Sequence, residues 1–253
     1  MLDPDTVHHS DCFAGMTQLP DESVDVVLTD PPYPNGMDLF STSLVDGLAA
    51  LYFACKKARH FVVFFWNPQD VPPAPPGWFE VARHVWHKPD CKSITHYESV
   101  VVWSRESRRK MSRVWSIPIL DYRSLKDWKP HPTQKPVKLI RYLLDLYTNE
   151  GDTVLDPFVG SGTTIVACLQ TGRHCIAIEH NPEYAQIANE RVKELLDRRT
   201  EASSDPESAA EEVPKEGELT ADAPARAPHQ KRAYGRKYPK RVAETPATTP
   251  EPQ

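Results

Sequence analysis

The residues best suited to chemistry are Asp30, Pro31, Pro32 and Tyr33, which follow Thr29 and the apolar run Val24-Asp25-Val26-Val27-Leu28. That run reads as a buried strand of a parallel sheet. Two consecutive prolines cannot continue a central strand, because each lacks a backbone donor and fixes its own φ. The chain therefore leaves the sheet at Asp30 and forms a stiff ledge beyond the strand's carboxyl end, where open α/β sheets bind ligands. A carboxylate and freed backbone carbonyls all accept hydrogen bonds, so together they can hold the two protons of an NH2 group. Tyr33 offers a face on which a planar base can stack. Taken alone, the tetrapeptide reads equally well as a turn that ends a strand.

A second constellation lies at residues 154–164, Val-Leu-Asp-Pro-Phe-Val-Gly-Ser-Gly-Thr-Thr. It reads as a strand, a small-residue turn and a helix N-terminus. Gly160 and Gly162 let the backbone approach a ligand closely, and the helix start favours a carboxylate or phosphate. Glu179 ends the next apolar run, where an acidic side chain can take the hydroxyls of a ribose. No lysine follows the glycines, which excludes a triphosphate-binding loop of the G-x-x-x-x-G-K type. The pattern fits a nucleoside cofactor.

The elements that position these groups alternate between strands and helices. Strands are expected at 6–9, 24–28, 61–66, 81–86, 99–103, 153–155 and 175–178, with 81–86 and 99–103 as a hairpin-like pair at one edge of the sheet. Helices are expected at 12–19, 41–58, 136–147, 161–170 and 182–198, with Pro136 in the first turn of its helix. The reading is a mixed, mostly parallel seven-stranded α/β sheet over residues 1–199. Residues 200–253 are rich in Ala, Ser, Pro and charge, and are expected to stay disordered because they cannot bury enough apolar surface to offset their ordering entropy.

Composition narrows the setting. The five cysteines show no C-x-x-C pair, which favours reduced thiols in the cytoplasm over a disulfide framework. No signal peptide and no membrane-length apolar run is visible. The net charge of -5 hides an asymmetry: residues 83–141 carry 14 basic against 5 acidic groups, between flanks of opposite balance. A basic middle segment suits a polyanion, and Arg108, Arg109, Lys110 and Arg113 are its densest part. Trp115 and Trp128 read as either packing or DNA-contacting aromatics. His84, His87, Cys91 and His96 lack paired ligand spacing and read as structural, so no metal is expected.

Asp30-Pro31-Pro32-Tyr33, His131-Pro132-Thr133-Gln134-Lys135-Pro136 and Asp156-Pro157-Phe158 through Thr163 occur in that order. With these three motifs the chain resembles the β, or permuted, class of DNA amino-methyltransferases, over nearly all of residues 6–198. The resemblance implies a Rossmann-like domain, S-adenosylmethionine as cofactor, and methyl transfer to the exocyclic amine of a base flipped out of DNA. Carried to this chain, it implies that Asp30, Pro31, Pro32 and Tyr33 hold the target base. Asp156, Phe158, Gly160, Ser161, Gly162 and Thr163 would hold the methionine part of the cofactor, with Thr133 and Lys135 nearby. Glu179 would bind the ribose and Asp11 the cofactor's adenine. Trp86-His87-Lys88-Pro89 and His96-Tyr97-Glu98 match stretches that shape the target pocket.

An Asp at position 30 is the commoner choice for adenine in that class, so N6-adenine is the expected product. N4-cytosine, RNA, and a nucleic-acid-binding protein on an inactive scaffold stay as alternatives. Restriction-modification is one setting for such an enzyme. The target-recognition insert, about 104–130, is short for the class, and self-association into a homodimer stays open.

Overall fold

The structure is a computed structural model that describes residues 2–32, 44–89, 96–107, 112–117 and 134–204. The expectations for Tyr33, Thr133, Arg108, Arg109, Lys110, Trp128 and the tail beyond residue 204 fall outside those residues.

The described elements are β1 (Thr6–His9), α1 (Cys12–Thr17), β2 (Val24–Thr29), α2 (Leu44–Lys57), β3 (Ala58–Trp66), β4 (Phe79–His87), β5 (Tyr97–Ser104), β6 (Val114–Ser116), α3 (Val137–Tyr147), β7 (Thr153–Asp156), α4 (Thr163–Gln170), β8 (His174–Glu179) and α5 (Pro182–Ser204). The strands form one sheet in the order β1-β8-β7-β2-β3-β5-β4-β6. Pairing is parallel from β1 through β3, antiparallel at β3–β5 and β5–β4, and parallel again at β4–β6. The architecture is the expected mostly parallel α/β sheet, but with eight strands among the described residues instead of seven. The added strand, β6, lies inside the segment expected to be irregular and covers the outer edge of the hairpin. Pro136 caps α3 from outside, with the helix proper starting at Val137.

Residues alternate across the sheet because successive strand side chains point to opposite faces. Val63, Phe65, Val100 and Val102 pack on one face with Leu139, Leu143 and Ile165 from α3 and α4. Val62, Phe64, Val101 and Trp103 pack on the other with Leu51 and Ala54 from α2. Two apolar faces explain why β2 and β3 read as nearly continuous apolar runs. Asp25, the polar residue inside the β2 run, is accounted for: its Oδ2 accepts from the Thr153 amide at 2.9 Å and its Oδ1 pairs with Arg59 at 3.0 Å.

Topology fixes where ligands can lie. From β7 the chain moves outward to β8, and from β2 it moves the opposite way to β3. The strand order therefore switches between β7 and β2, and the crevice beyond their carboxyl ends is the expected binding place. Because β5 runs antiparallel to β3, its first residues reach the same edge as the ends of β2, β3 and β4. Cys12, Cys55, Cys168 and Cys175 are free thiols. Among the described residues, no helix is long and apolar enough to cross a membrane.

Candidate active site

Thr29 is the last residue of β2 and is fully buried, while Asp30 stands half-buried at the rim and Pro31 is buried beneath it. The proline ledge runs tightly under α2. A Cβ built on Gly47 would sit 2.0 Å from the Pro32 carbonyl oxygen, so only glycine allows this approach. A glycine inside a helix is otherwise unfavourable by about 1 kcal/mol relative to alanine, and the close contact explains its place here.

Asp30 ends a line of alternating charges. Its Oδ2 receives the Lys135 ammonium. Lys135 also lies 3.3 Å from Glu98 Oε2, and Glu98 Oε1 accepts from Lys88 Nζ at 2.9 Å. The second Asp30 oxygen, Oδ1, is buried and has no hydrogen-bond partner among the described residues. Aromatic walls enclose the ammonium of Lys135, which lies 4.9 Å from the Phe65 ring centroid and 5.9 Å from that of Trp86. Both lysines are less than a tenth exposed. Burial pushes the Asp30 carboxyl above its usual range; Lys135 opposes the rise and the Glu98 charge adds to it. Burial also works against the charge of Glu98, but the combined pull of Lys135 and Lys88 outweighs it and holds that carboxyl below the usual range.

The second constellation begins where β7 ends. Asp156 is buried, and its Oδ1 accepts from the Thr29 hydroxyl at 2.8 Å and from the Phe158 amide at 3.1 Å. Burial pushes its carboxyl up to about 6, against the hydrogen bonds from Thr164, Thr29 and Phe158. The turn that follows uses positive φ at Gly160 (56°) and Gly162 (88°). Gly162 also needs to lack a side chain, since a Cβ there would lie 2.9 Å from Ala188 of α5. Glu179 organises this turn from the end of β8: Oε2 accepts from the Gly160 amide at 2.9 Å and Oε1 from the Asn181 amide at 2.8 Å. Each oxygen keeps further acceptor capacity, as a ribose diol requires.

The segment before α3 joins the two constellations. Ser161 Oγ donates to Gln134 Oε1 at 2.8 Å, while the next residue, Lys135, reaches Asp30. Lys135, expected beside the cofactor, thus has its ammonium on the Asp30 carboxylate. Thr163 is buried at the start of α4, and Phe158 is half-buried in the turn. Asp11 sits at the end of β1, but one of its oxygens caps α1 by accepting from the Phe13 and Ala14 amides at 2.9 and 3.0 Å.

Lys88 and Glu98 lie in the two stretches that the resemblance assigns to the target pocket, with no individual role for either. The signal available in the sequence is a lone acid, Glu98, separated only by Ser99 from the apolar run of β5. On the basic segment, Arg113 is exposed beside β6. Trp115, read as either packing or DNA-contacting, packs: it stacks on Tyr142 with rings 6.4 Å apart at 7° and lies 5.0 Å from His84. His84 is buried, with Nε2 2.5 Å from the Tyr147 hydroxyl, and burial lowers its pKa to about 4. That environment suits a neutral core histidine.

Residues 52–190 match the model of the N6/N4 methylase family, described as DNA methylase. YubD from Escherichia coli (strain K12) is 32% identical over 205 residues, covering 72% of this chain and 87% of that protein. The DNA adenine methyltransferase YhdJ of the same organism is 26% identical over 243 residues, covering 74% and 82%. Among solved structures, M1.HpyAVI in complex with SAM superposes with a TM-score of 0.53 at 23% identity, covering 74% of this chain and 98% of that one.

Proposed function

The chain belongs to the N6/N4 DNA methylase family, and on that premise we propose that it transfers a methyl group from S-adenosylmethionine to the exocyclic N6 amine of adenine in DNA. The observation that carries this reading is Asp30 Oδ1, a buried acceptor without a partner among the described residues, at the switch point of the sheet. One strand away lies a turn built to receive a nucleoside with a charged tail. The residues present fit S-adenosylmethionine: the glycine turn opens α4 toward a carboxylate, and Glu179 ends the adjacent strand. M1.HpyAVI, a protein of this fold, was solved with SAM bound.

When bound, S-adenosylmethionine supplies a methyl group on an electron-poor sulfonium. The chain's own groups do the rest by alignment. The target base must leave the duplex for its amine to be reached. Asp30 Oδ1 and the Pro31 carbonyl accept the two amine protons, which turns the nitrogen lone pair away from them. Tyr33 stacks on the base. As the nitrogen becomes positive, the Asp30 carboxylate stabilises it and is the nearest acceptor for the proton it must lose. Arg113, with Arg108, Arg109 and Lys110, meets phosphates along the DNA. Residues 1–199 carry the activity.

The choice of adenine rests on Asp at position 30 and on likeness to a protein named as an adenine methyltransferase. Incubation with methyl-labelled cofactor and DNA, followed by digestion to nucleosides, tests it. Label is expected in N6-methyl-2′-deoxyadenosine. Label in N4-methyl-2′-deoxycytidine would assign the product to cytosine, and DNA binding without any label would make this a binding protein on an inactive scaffold.

A further inference from the structure

The geometry points to Glu98 as a positioning residue: it holds the Lys135 ammonium to one side of Asp30 and so leaves Asp30 Oδ1 open to the target amine. This rests on the assignment of Asp30 above. Lys135 hydrogen-bonds Asp30 Oδ2 and leaves Oδ1 without a partner among the described residues, while its ammonium also forms an ion pair with Glu98 Oε2 at 3.3 Å that lacks hydrogen-bond geometry. Glu98 is itself fixed from behind by Lys88 at 2.9 Å, and Lys88 by its place over the Trp86 ring at 5.6 Å. An ammonium has three donors and a flexible stem. Released from Glu98, it could swing onto both Asp30 oxygens and compete with the amine.

The backbone does not need this cluster. The β4–β5 ladder already pairs Trp86 with Glu98 and His87 with Tyr97, and the Lys88 amide donates to the His96 carbonyl at 2.6 Å. Burying an acid between two lysines carries a desolvation cost that well-packed apolar residues avoid. Stability alone therefore does not account for three ionised groups at the mouth of the crevice. Among the described residues, the charged groups that face Asp30 are Lys135 from the segment before α3, Glu98 from β5, Lys88 from the end of β4, and Asp156 from β7.

The test is the pH profile of kcat for the full chain with saturating cofactor and DNA, whose acid limb reports ionisation in the bound complex. In Glu98→Gln the plateau should fall tenfold or more, as Lys135 closes on Asp30. The acid limb should move down by roughly one unit, because a negative neighbour is gone and a positive one is nearer. Lys88→Met should move the limb the other way, since Glu98 then draws Lys135 from Asp30. Loss of the charges alone would also move the limb in these two directions, so the fallen plateau in folded Glu98→Gln is the readout that separates a held Lys135 from a merely nearby charge. If Glu98→Gln does not fold, Lys88→Met carries the test, and an unmoved limb in it overturns the inference. A wild-type plateau in folded Glu98→Gln also overturns it. Inactive wild-type protein, or wild-type turnover in Asp30→Asn, would instead sink the assignment of Asp30.

Discussion

The Thr29 hydroxyl donates to Asp156 Oδ1 at 2.8 Å, joining the last residue of β2 to the last residue of β7. Asp30 follows one partner and the glycine turn follows the other, so this buried bond spans the two halves of the candidate site. Thr29→Val keeps the shape and removes the donor. It should lower the unfolding free energy by about 1–3 kcal/mol, read by urea titration, and reduce kcat more than cofactor affinity. Unchanged stability and turnover would mean that the two loops are held independently.

Asp156 gives the fold a pH dependence of definite sign. Its folded pKa, about 6, lies above the unfolded carboxylate value of about 4. The folded protein therefore binds more protons between those values, and stability present below the window is lost as pH rises through it. The loss is on the order of 2–3 kcal/mol. Asp156→Asn cannot ionise and should flatten the slope between about pH 4 and pH 6. Parallel slopes for the two proteins in denaturant titrations would remove Asp156 as the source.

The strands that build the crevice were legible because β2, β3, β7 and β8 are buried on both faces and read as apolar runs that stop at Asp30, Asn67, Asp156 and Glu179. The three-residue strand β6 was not, since Val114 and Ser116 are exposed and only Trp115 turns partly inward. The charge line from Lys88 to Asp30 was not legible either. Lys135 and Asp30 are 105 residues apart, and they meet Glu98 only because β5 reverses direction and brings its first residues to the crevice. Spacing along the chain carries no trace of such a meeting. The joining of the two constellations through Thr29, Gln134 and Lys135 is likewise a product of the strand order.

Gly47 tests how tightly the ledge is set. In an ordinary helix Gly47→Ala would be stabilising by about 1 kcal/mol. Here the new methyl meets the Pro32 carbonyl oxygen, so the ledge or α2 must shift. Turnover should drop about tenfold or more, as small misplacements of reacting groups do, while calorimetric cofactor affinity stays unchanged. Retained turnover with a higher Tm would show that the ledge has slack.

Glu179 accepts from the Gly160 and Asn181 amides, and in the proposed function it also takes the hydroxyls of the cofactor's ribose. Glu179→Ala therefore removes both a ligand contact and the tie that shapes the turn. Cofactor affinity should weaken by at least about 1.5–3 kcal/mol, the range for bonds to a charged group. Unaltered affinity by calorimetry would place the cofactor elsewhere.

In the proposed function Asp30 receives the target amine and does not hold the cofactor. Asp30→Ala, assayed in single turnover with labelled S-adenosylmethionine and DNA, addresses it directly. The expected result is a fall in methyl transfer of about 10²–10³ or more, the scale for losing a group that stabilises developing charge, with cofactor affinity by calorimetry near that of the wild type. Methyl transfer at the wild-type rate in a folded Asp30→Ala protein would contradict it.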